Sequence, residues 1–371
     1  MKEIYIHVGV PKTGTSAIQC FIDNHPDVME RYSIGYPSFD IEYESASSRR
    51  NGYLLAHYLD DSEIKEKCLE GIKNCLETHE KVILTDEGIF YRMYKSPKLV
   101  KKIHEALSPL GATLKIIIYL RRQDDFVYSF WSEQAKEKAA PKFEKYLGSF
   151  DKKRINYEHN LKQMEDVFGK ENMIVKIYDR NLFKNNNILS DFMDIFGGEL
   201  TEEEINGDPR VNVTLKDVCL EAKRRLNKGY DDFKGASNFS VKLLRDIQNE
   251  MAEEGKLFDR PFFEAKDRKK FMEYYEKSNA AVAREYFGKN EGEELFAPVS
   301  DKEVDPENLK PFSEDEINDV YMRMILKLHD RNEDQKLRMQ TQKEKIQELN
   351  KMKKPTATYA FLKKISRKLG R

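Results

Sequence analysis

The densest run of reactive side chains is Gly9-Val10-Pro11-Lys12-Thr13-Gly14-Thr15-Ser16, with two glycines, a lysine and three hydroxyls in eight residues. Its Gly-x-x-x-x-Gly spacing is that of a phosphate-binding loop between a strand and a helix. In such a loop the backbone N–H groups point inward and the dipole of the following helix favours an anion. Lys12 adds a compact positive charge, and Thr13, Thr15 and Ser16 add hydroxyl donors. Thr15 stands where a nucleoside triphosphatase carries its loop lysine, the one that contacts the β/γ-phosphates. A triphosphatase lacking it loses that contact and its usual Mg²⁺ arrangement. The chemistry expected here is the binding of a phosphate-like anion without metal.

Further along the chain, Arg121 and Ser129 flank Arg122-Gln123-Asp124-Asp125 and lie eight residues apart. The planar fork of an arginine suits a terminal phosphate, to which it can donate two hydrogen bonds. The pair Asp86-Glu87 follows an apolar run, and alternation along an extended chain points the two carboxylates opposite ways. Glu87 is a candidate general base, since a hydroxyl is a poor nucleophile until its proton is taken. The pair also reads as a helix N-terminal cap. His57, in GYLLAHYLD, is the rival base, although a lone histidine among Leu and Tyr reads as a core residue. His7 reads as core or as a support behind the site.

These segments resemble the sulfotransferases that use 3′-phosphoadenosine 5′-phosphosulfate (PAPS), most closely the bacterial polysaccharide and carbohydrate enzymes. PKTGTSAIQ (11–19) is similar to their 5′-phosphosulfate loop, with Ser16 in place of a second threonine. Arg121 and Ser129 match the spacing of their 3′-phosphate site, where Gln123 replaces a usual proline. Glu87 matches the acidic residue after the central strand that serves related enzymes as base. Arg210, in DPRVNVTL, falls where a polar loop closes over the nucleotide, and SNAAVAREYFG (278–288) resembles a C-terminal segment of the bacterial members.

The resemblance covers about residues 3–297. It implies transfer of a sulfuryl group from PAPS to a carbohydrate hydroxyl on a polysaccharide, lipopolysaccharide or glycolipid. Lys12 and Glu87 would be the catalytic groups. Lys12, Thr13, Gly14, Thr15, Ser16, Arg121, Ser129 and Arg210 would hold the donor, and no metal would be needed. Two other readings stay open: a kinase-like phosphotransferase on the same loop, and a non-catalytic nucleotide-binding scaffold at a membrane.

Positioning these groups requires strands that end just before them. Four segments read as strands: 4–9, 81–86, 114–120 and 172–178. The central two are nearly continuous apolar runs, which suits a parallel sheet covered on both faces. Helical patterns at 16–25, 61–79, 96–107 and 157–169 alternate with them. The expected fold is therefore α/β, a P-loop-like doubly wound parallel sheet flanked by helices, with its ligand outside the C-terminal strand ends. Past residue 180 the pattern turns helical, including one stretch over 268–288. Residues 1–300 read as the sulfotransferase-like domain and 301–315 as a polar linker. Ser313-x-x-Glu316 has capping-box spacing and opens a charged helix, 316–352. Ile317, Val320, Met324 and Leu328 keep helical spacing before the apolar stripe thins.

The composition narrows the class. Of 371 residues, 39% are hydrophobic and 35% charged, enough apolar material for a core and against global disorder. No apolar run approaches the roughly 18 residues of a membrane-spanning helix. The N-terminus lacks the pattern of a signal peptide, and four scattered cysteines read as reduced thiols, so the expectation is a cytoplasmic protein. The seven histidines show no metal-ligand spacing. The net charge of −1 hides an asymmetry: residues 335–371 hold 12 Lys/Arg against 2 Asp/Glu, a net of +10, leaving −11 on residues 1–334. The tail, 353–371, places Phe361, Leu362, Ile365 and Leu369 at helical spacing among lysines and arginines. That pattern suits a peripheral contact with an anionic inner-membrane surface. An acidic body without a reading motif argues against nucleic acid.

Overall fold

The computed structural model describes residues 1–39, 41, 50–206, 214–230, 237–257, 260–299 and 311–352. Five strands, Glu3–Val8 (β1), Ile34–Gly35 (β2), Lys81–Asp86 (β3), Thr113–Leu120 (β4) and Met173–Ile177 (β5), form one parallel sheet in the order β2-β3-β1-β4-β5. Successive residues of the central strands are buried alike, Val82, Ile83 and Leu84 on β3 and Ile116 to Leu120 on β4. Both faces are therefore covered, which is why these strands read as continuous apolar runs and not as alternating ones.

The order has a consequence for function. From β1 the chain steps outward to β2, returns through β3 beside β1, and then crosses to β4 on β1's other side. The sheet thus switches direction at β1, and ligands of doubly wound sheets bind outside the carboxyl ends at such a switch. Parallel pairing aligns Val8 with Asp86 and His7 with both Thr85 and Ile117.

The helices fall close to their sequence positions: Thr15–Asn24, Ser62–Thr78, Lys98–Leu107 and Tyr157–Phe168. The stretch 268–288 departs from the single helix expected. It is two helices, Ala265–Glu273 and Glu276–Phe287, broken at Tyr274 and Tyr275. Tyr275 is fully buried and its hydroxyl donates to the Lys152 carbonyl at 3.0 Å, so burial of this ring sets the break.

The chain divides into two compact units, 1–213 with 260–309, and 214–259 with 310–371. Residues 214–259 lie inside the span that the sequence assigns to one domain, yet they group with the long helix. In this second unit the helices Asp217–Tyr230 and Ser237–Glu253 pack with Glu314–Met352. Ile317, Val320 and Met324 are buried there, beside Leu243, Leu244 and Ile247. The long helix opens with the expected capping box. Glu316 N donates to Ser313 Oγ at 3.2 Å, and Ser313 N donates to Glu316 Oε2 at 2.8 Å. Arg323, Lys327 and Arg331 then pair in turn with Glu254, Glu250 and Asp246. None of the four cysteines is in a disulfide.

Candidate active site

The loop after β1 is built around close approaches. A Cβ on Gly9 would lie 2.6 Å from Thr15 Oγ1 and 3.2 Å from the Glu87 Cα, so only glycine lets the loop and the β3 end come together. Gly14 caps the Thr15–Asn24 helix with φ 77, and Lys12 takes the left-handed conformation with φ 70. For a non-glycine residue that conformation costs about 1–3 kcal/mol and persists only where the surroundings enforce it. Here Thr13 Oγ1 donates to the Val10 carbonyl at 2.6 Å, tying the loop across its base. The helix start has no side-chain cap and no acidic residue in its first turn, leaving its N–H end open to an anion. Thr15 Oγ1 is buried without a hydrogen-bond partner among the described residues. Ser16 lies at the surface.

Arg121, at the end of β4, joins this loop directly. Its Nη1 donates to the Lys12 carbonyl at 2.6 Å, and its guanidinium lies over the Tyr178 ring at 5.5 Å. The Arg121 carbonyl in turn accepts from the buried Tyr157 hydroxyl at 2.6 Å. Ser129 is half-buried in the second turn of the Gln123–Glu137 helix. Gln123, in the position of the family's proline, is the first residue of that helix. Its buried amide exchanges two hydrogen bonds with Asn279, at 2.7 and 3.1 Å. The pair links this helix to the Glu276–Phe287 helix.

The two carboxylates differ in their surroundings, and Glu87 lies past the strand with helical backbone angles, φ -76 and ψ -18. Asp86 is fully buried. It accepts Arg50 Nε at 2.7 Å, Arg50 Nη2 at 3.1 Å and the Gly88 N–H at 2.5 Å. Asp86 thus performs the capping role, while Glu87 makes no cap hydrogen bond and stands half-buried at the mouth of the site. Burial raises the Glu87 pKa above the usual carboxylate range. The charges of Asp86 and Glu133 add to this rise, and Arg50 and Lys12 oppose it. Glu87, Lys12, Glu133 and Arg50 thus share one electrostatic neighbourhood.

Lys12 Nζ bonds Glu133 Oε2 at 2.9 Å, and Lys136 Nζ reaches the same oxygen at 2.5 Å. Burial pushes the Glu133 carboxyl up, but the two lysines outweigh it and hold it below its ordinary value. His57 is not a core residue as sequence suggests. It is exposed, stacked on Tyr53 with ring centroids 4.0 Å apart, and its Nε2 lies 3.2 Å from where a Cβ on Gly88 would stand. Partial burial, with the cations Arg92 and Arg50, lowers its pKa to about 4, so it is a neutral imidazole at neutral pH. His7 is buried behind the site, with Nδ1 2.9 Å from Thr85 Oγ1.

The fold therefore brings Lys12, Thr13, Gly14, Thr15, Glu87 and Arg121 to the carboxyl ends of three adjacent strands, with Ser129 and Ser16 on the helices that follow. Arg210 lies outside the described residues. Sequence reasoning missed Arg50 and Glu133. Arg50 sits in no motif, and only the folding of 50–52 against Thr85 brings it to Asp86. Glu133 was findable, because it lies four residues after Ser129 and so on the same helix face. A cavity of about 490 Å³ opens beside Arg122 and Asn279, but neither Lys12 nor Glu87 lines it.

No family model matches the chain. It is 31% identical over 177 residues to an uncharacterized protein of Archaeoglobus fulgidus, covering 47% of this chain and 46% of that one. The chain thus spans about half the length of the curated relative it matches. A sulfotransferase from Alicyclobacillus acidocaldarius superposes with a TM-score of 0.36 at 18% identity, over 55% of this chain and 88% of that one. A sulfotransferase domain from the curacin biosynthetic pathway gives 0.34 at 11% identity, over 67% and 97%. At these scores neither superposition bears on mechanism.

Proposed function

We propose that the chain is a sulfotransferase that moves a sulfuryl group from PAPS to a carbohydrate hydroxyl. One observation carries the reading. A lysine that can neutralise a leaving phosphate and a carboxylate that can take a proton meet at the carboxyl ends of β1 and β3, around an uncapped anion loop into which Arg121 is bonded. The donor's 5′ end would lie on the loop N–H groups, Thr13, Thr15 and Ser16, and its 3′-phosphate against Arg121 and Ser129. Its phosphosulfate would replace Glu133 as the partner of Lys12. Glu87 would take the proton of the acceptor hydroxyl as its oxygen forms a bond to sulfur. The bond from sulfur to the bridging oxygen breaks, and adenosine 3′,5′-bisphosphate leaves with its charge met by Lys12 and the fixed loop donors. Among the described residues no acidic, histidine or cysteine cluster could hold a metal, and none has a role in this scheme.

The acceptor class, a glycan or glycolipid, rests on the likeness of Glu87 and its segment to the carbohydrate enzymes. The basic tail, 353–371, lies outside the described residues. Its composition supports a peripheral contact with an anionic cytoplasmic leaflet, and no described helix is long and apolar enough to cross a membrane. Calorimetry tests the donor. Adenosine 3′,5′-bisphosphate should bind without Mg²⁺ and ATP much more weakly, because ATP lacks the 3′-phosphate that Arg121 and Ser129 complement. Tight Mg²⁺-dependent ATP binding, indifferent to a 3′-phosphate, would instead make this a phosphotransferase.

A further inference from the structure

The long helix of the second unit leaves its packing partners behind. Ile317, Val320 and Met324 are buried, but every residue from Leu328 to Gln347 is exposed. In proteins most helical stability comes from the packing of one face and not from propensity. This stretch nevertheless carries a regular pattern. Ile325, Asn332, Met339 and Ile346 recur every seventh residue, and Leu328, Gln335 and Gln342 recur three residues after the first three of them. These are the a and d positions of a coiled coil. The apolar ones among them stand in solvent: Ile325 60%, Leu328 40%, Met339 52% and Ile346 56% exposed.

The flanks of this seam decide what can cover it. The e positions are His329, Lys336 and Lys343, and the g positions are Arg331, which already pairs with Asp246 at 3.0 Å, Arg338 and Lys345. None is acidic, while Asp330, Glu333, Asp334 and Glu344 all lie on the outer positions. Flanking e and g charges select coiled-coil partners. In a parallel pair of identical helices Arg338 would face Lys343, and Lys336 would face the Arg331–Asp246 pair, so the facing charges repel a second copy and none attracts it. An antiparallel pair fares no better, since every flanking charge has the same sign. The chain's own residues 353–371 hold seven Lys/Arg and no Asp/Glu, so they are repelled as well.

We propose that residues 325–346 form a docking surface for an acidic amphipathic helix of another protein. That helix would carry apolar residues facing Ile325, Leu328, Met339 and Ile346, and Glu or Asp beside the basic flanks. Asn332 in the seam favours a two-stranded pairing in one register, because a polar residue at an a position is satisfied only opposite its match. The three polar seam positions, Asn332, Gln335 and Gln342, make the pairing reversible rather than obligate. This surface is independent of the site proposed for catalysis.

The test is calorimetric titration of the full-length chain with a synthetic helix of about four heptads, with Ile and Leu in its seam, Asn opposite Asn332 and Glu at e and g. A second peptide differs only in carrying Lys at e and g. The acidic peptide should bind at least about tenfold more tightly than the basic one, a difference of about 1.4 kcal/mol. Met339→Asp with Ile346→Asp should weaken it by about tenfold or more, and Arg338→Glu with Lys345→Glu should largely abolish the preference between peptides. All four residues are exposed, so thermal unfolding of these variants should match the parent. Equal binding of the two peptides would overturn the proposal. So would a stable dimer of the chain at low salt in sedimentation. Binding that survives Met339→Asp with Ile346→Asp, and is matched by heparin or phosphatidylglycerol vesicles, would make the helix a polyanion contact and likewise overturn it.

Discussion

Glu87 stands half in water and half against buried charge, and that placement sets its chemistry. Its raised pKa makes it a stronger base than an ordinary carboxylate, yet it stays within reach of Lys12. Glu87→Gln should leave adenosine 3′,5′-bisphosphate affinity nearly intact and lower turnover by roughly 10²-fold or more, the usual weight of a general base. The base works only when ionised, so kcat/KM should fall as pH drops through the raised Glu87 pKa, and this limb should vanish in the Gln variant. Full activity in Glu87→Gln with none in His57→Ala would move the role to the neutral imidazole beside it. Among the described residues, Arg50 is the charged side chain that hydrogen-bonds Asp86. Arg50→Ala should cost about 3–5 kcal/mol in denaturant unfolding, the usual penalty for a buried carboxylate left without its partner. The Asp86 pKa is already raised by burial in the folded state. Protonation therefore favours the fold, and the deficit of Arg50→Ala should shrink as pH falls through that raised pKa.

At the scale of elements, two joints hold the site together. The first is the Gly9 turn, where the loop passes within contact of both Thr15 and Glu87. Gly9→Ala forces an overlap at 2.6 Å, so it should weaken adenosine 3′,5′-bisphosphate binding by about tenfold or more, since the loop must shift to make room. The second is the Gln123–Asn279 amide pair between two helices. Either alanine variant leaves a buried amide unpaired and should cost about 1–3 kcal/mol of stability. The double variant should cost clearly less than the sum. A chemical-denaturation cycle showing simple additivity would mean that the amides act independently.

At the scale of the whole molecule, the sequence concentrates its strongest positive charge in residues 335–371, beyond the last residue of the first unit. Truncation after Asn350 keeps Ile317, Val320 and Met324, the buried residues of the long helix. It should therefore leave the chain folded and able to bind adenosine 3′,5′-bisphosphate. It should reduce sedimentation with anionic liposomes, and in the full-length chain that binding should weaken as salt rises, because the charges act through a screened surface field. A full-length chain that ignores anionic liposomes at low salt would leave the tail without a membrane role.

The local code was legible in the residues themselves. Apolar runs marked four of the five strands; the runs are nearly continuous on β3 and β4, because a strand buried on both faces must be apolar throughout. The glycine-lysine-hydroxyl spacing marked the loop, and Ser313-x-x-Glu316 marked the start of the long helix, because both depend on neighbours within a few residues. What required the tertiary structure was everything joined across long separations. The two-residue strand β2 is too short to carry a periodicity, and Tyr275 breaks a helical pattern only because its ring is buried against Lys152. Arg50 meets Asp86 across 36 residues, Lys12 meets Glu133 across 121, and Gln123 meets Asn279 across 156. Such pairings leave no spacing in the sequence; they exist because a sheet that switches direction at β1 draws the ends of three distant strands to one mouth.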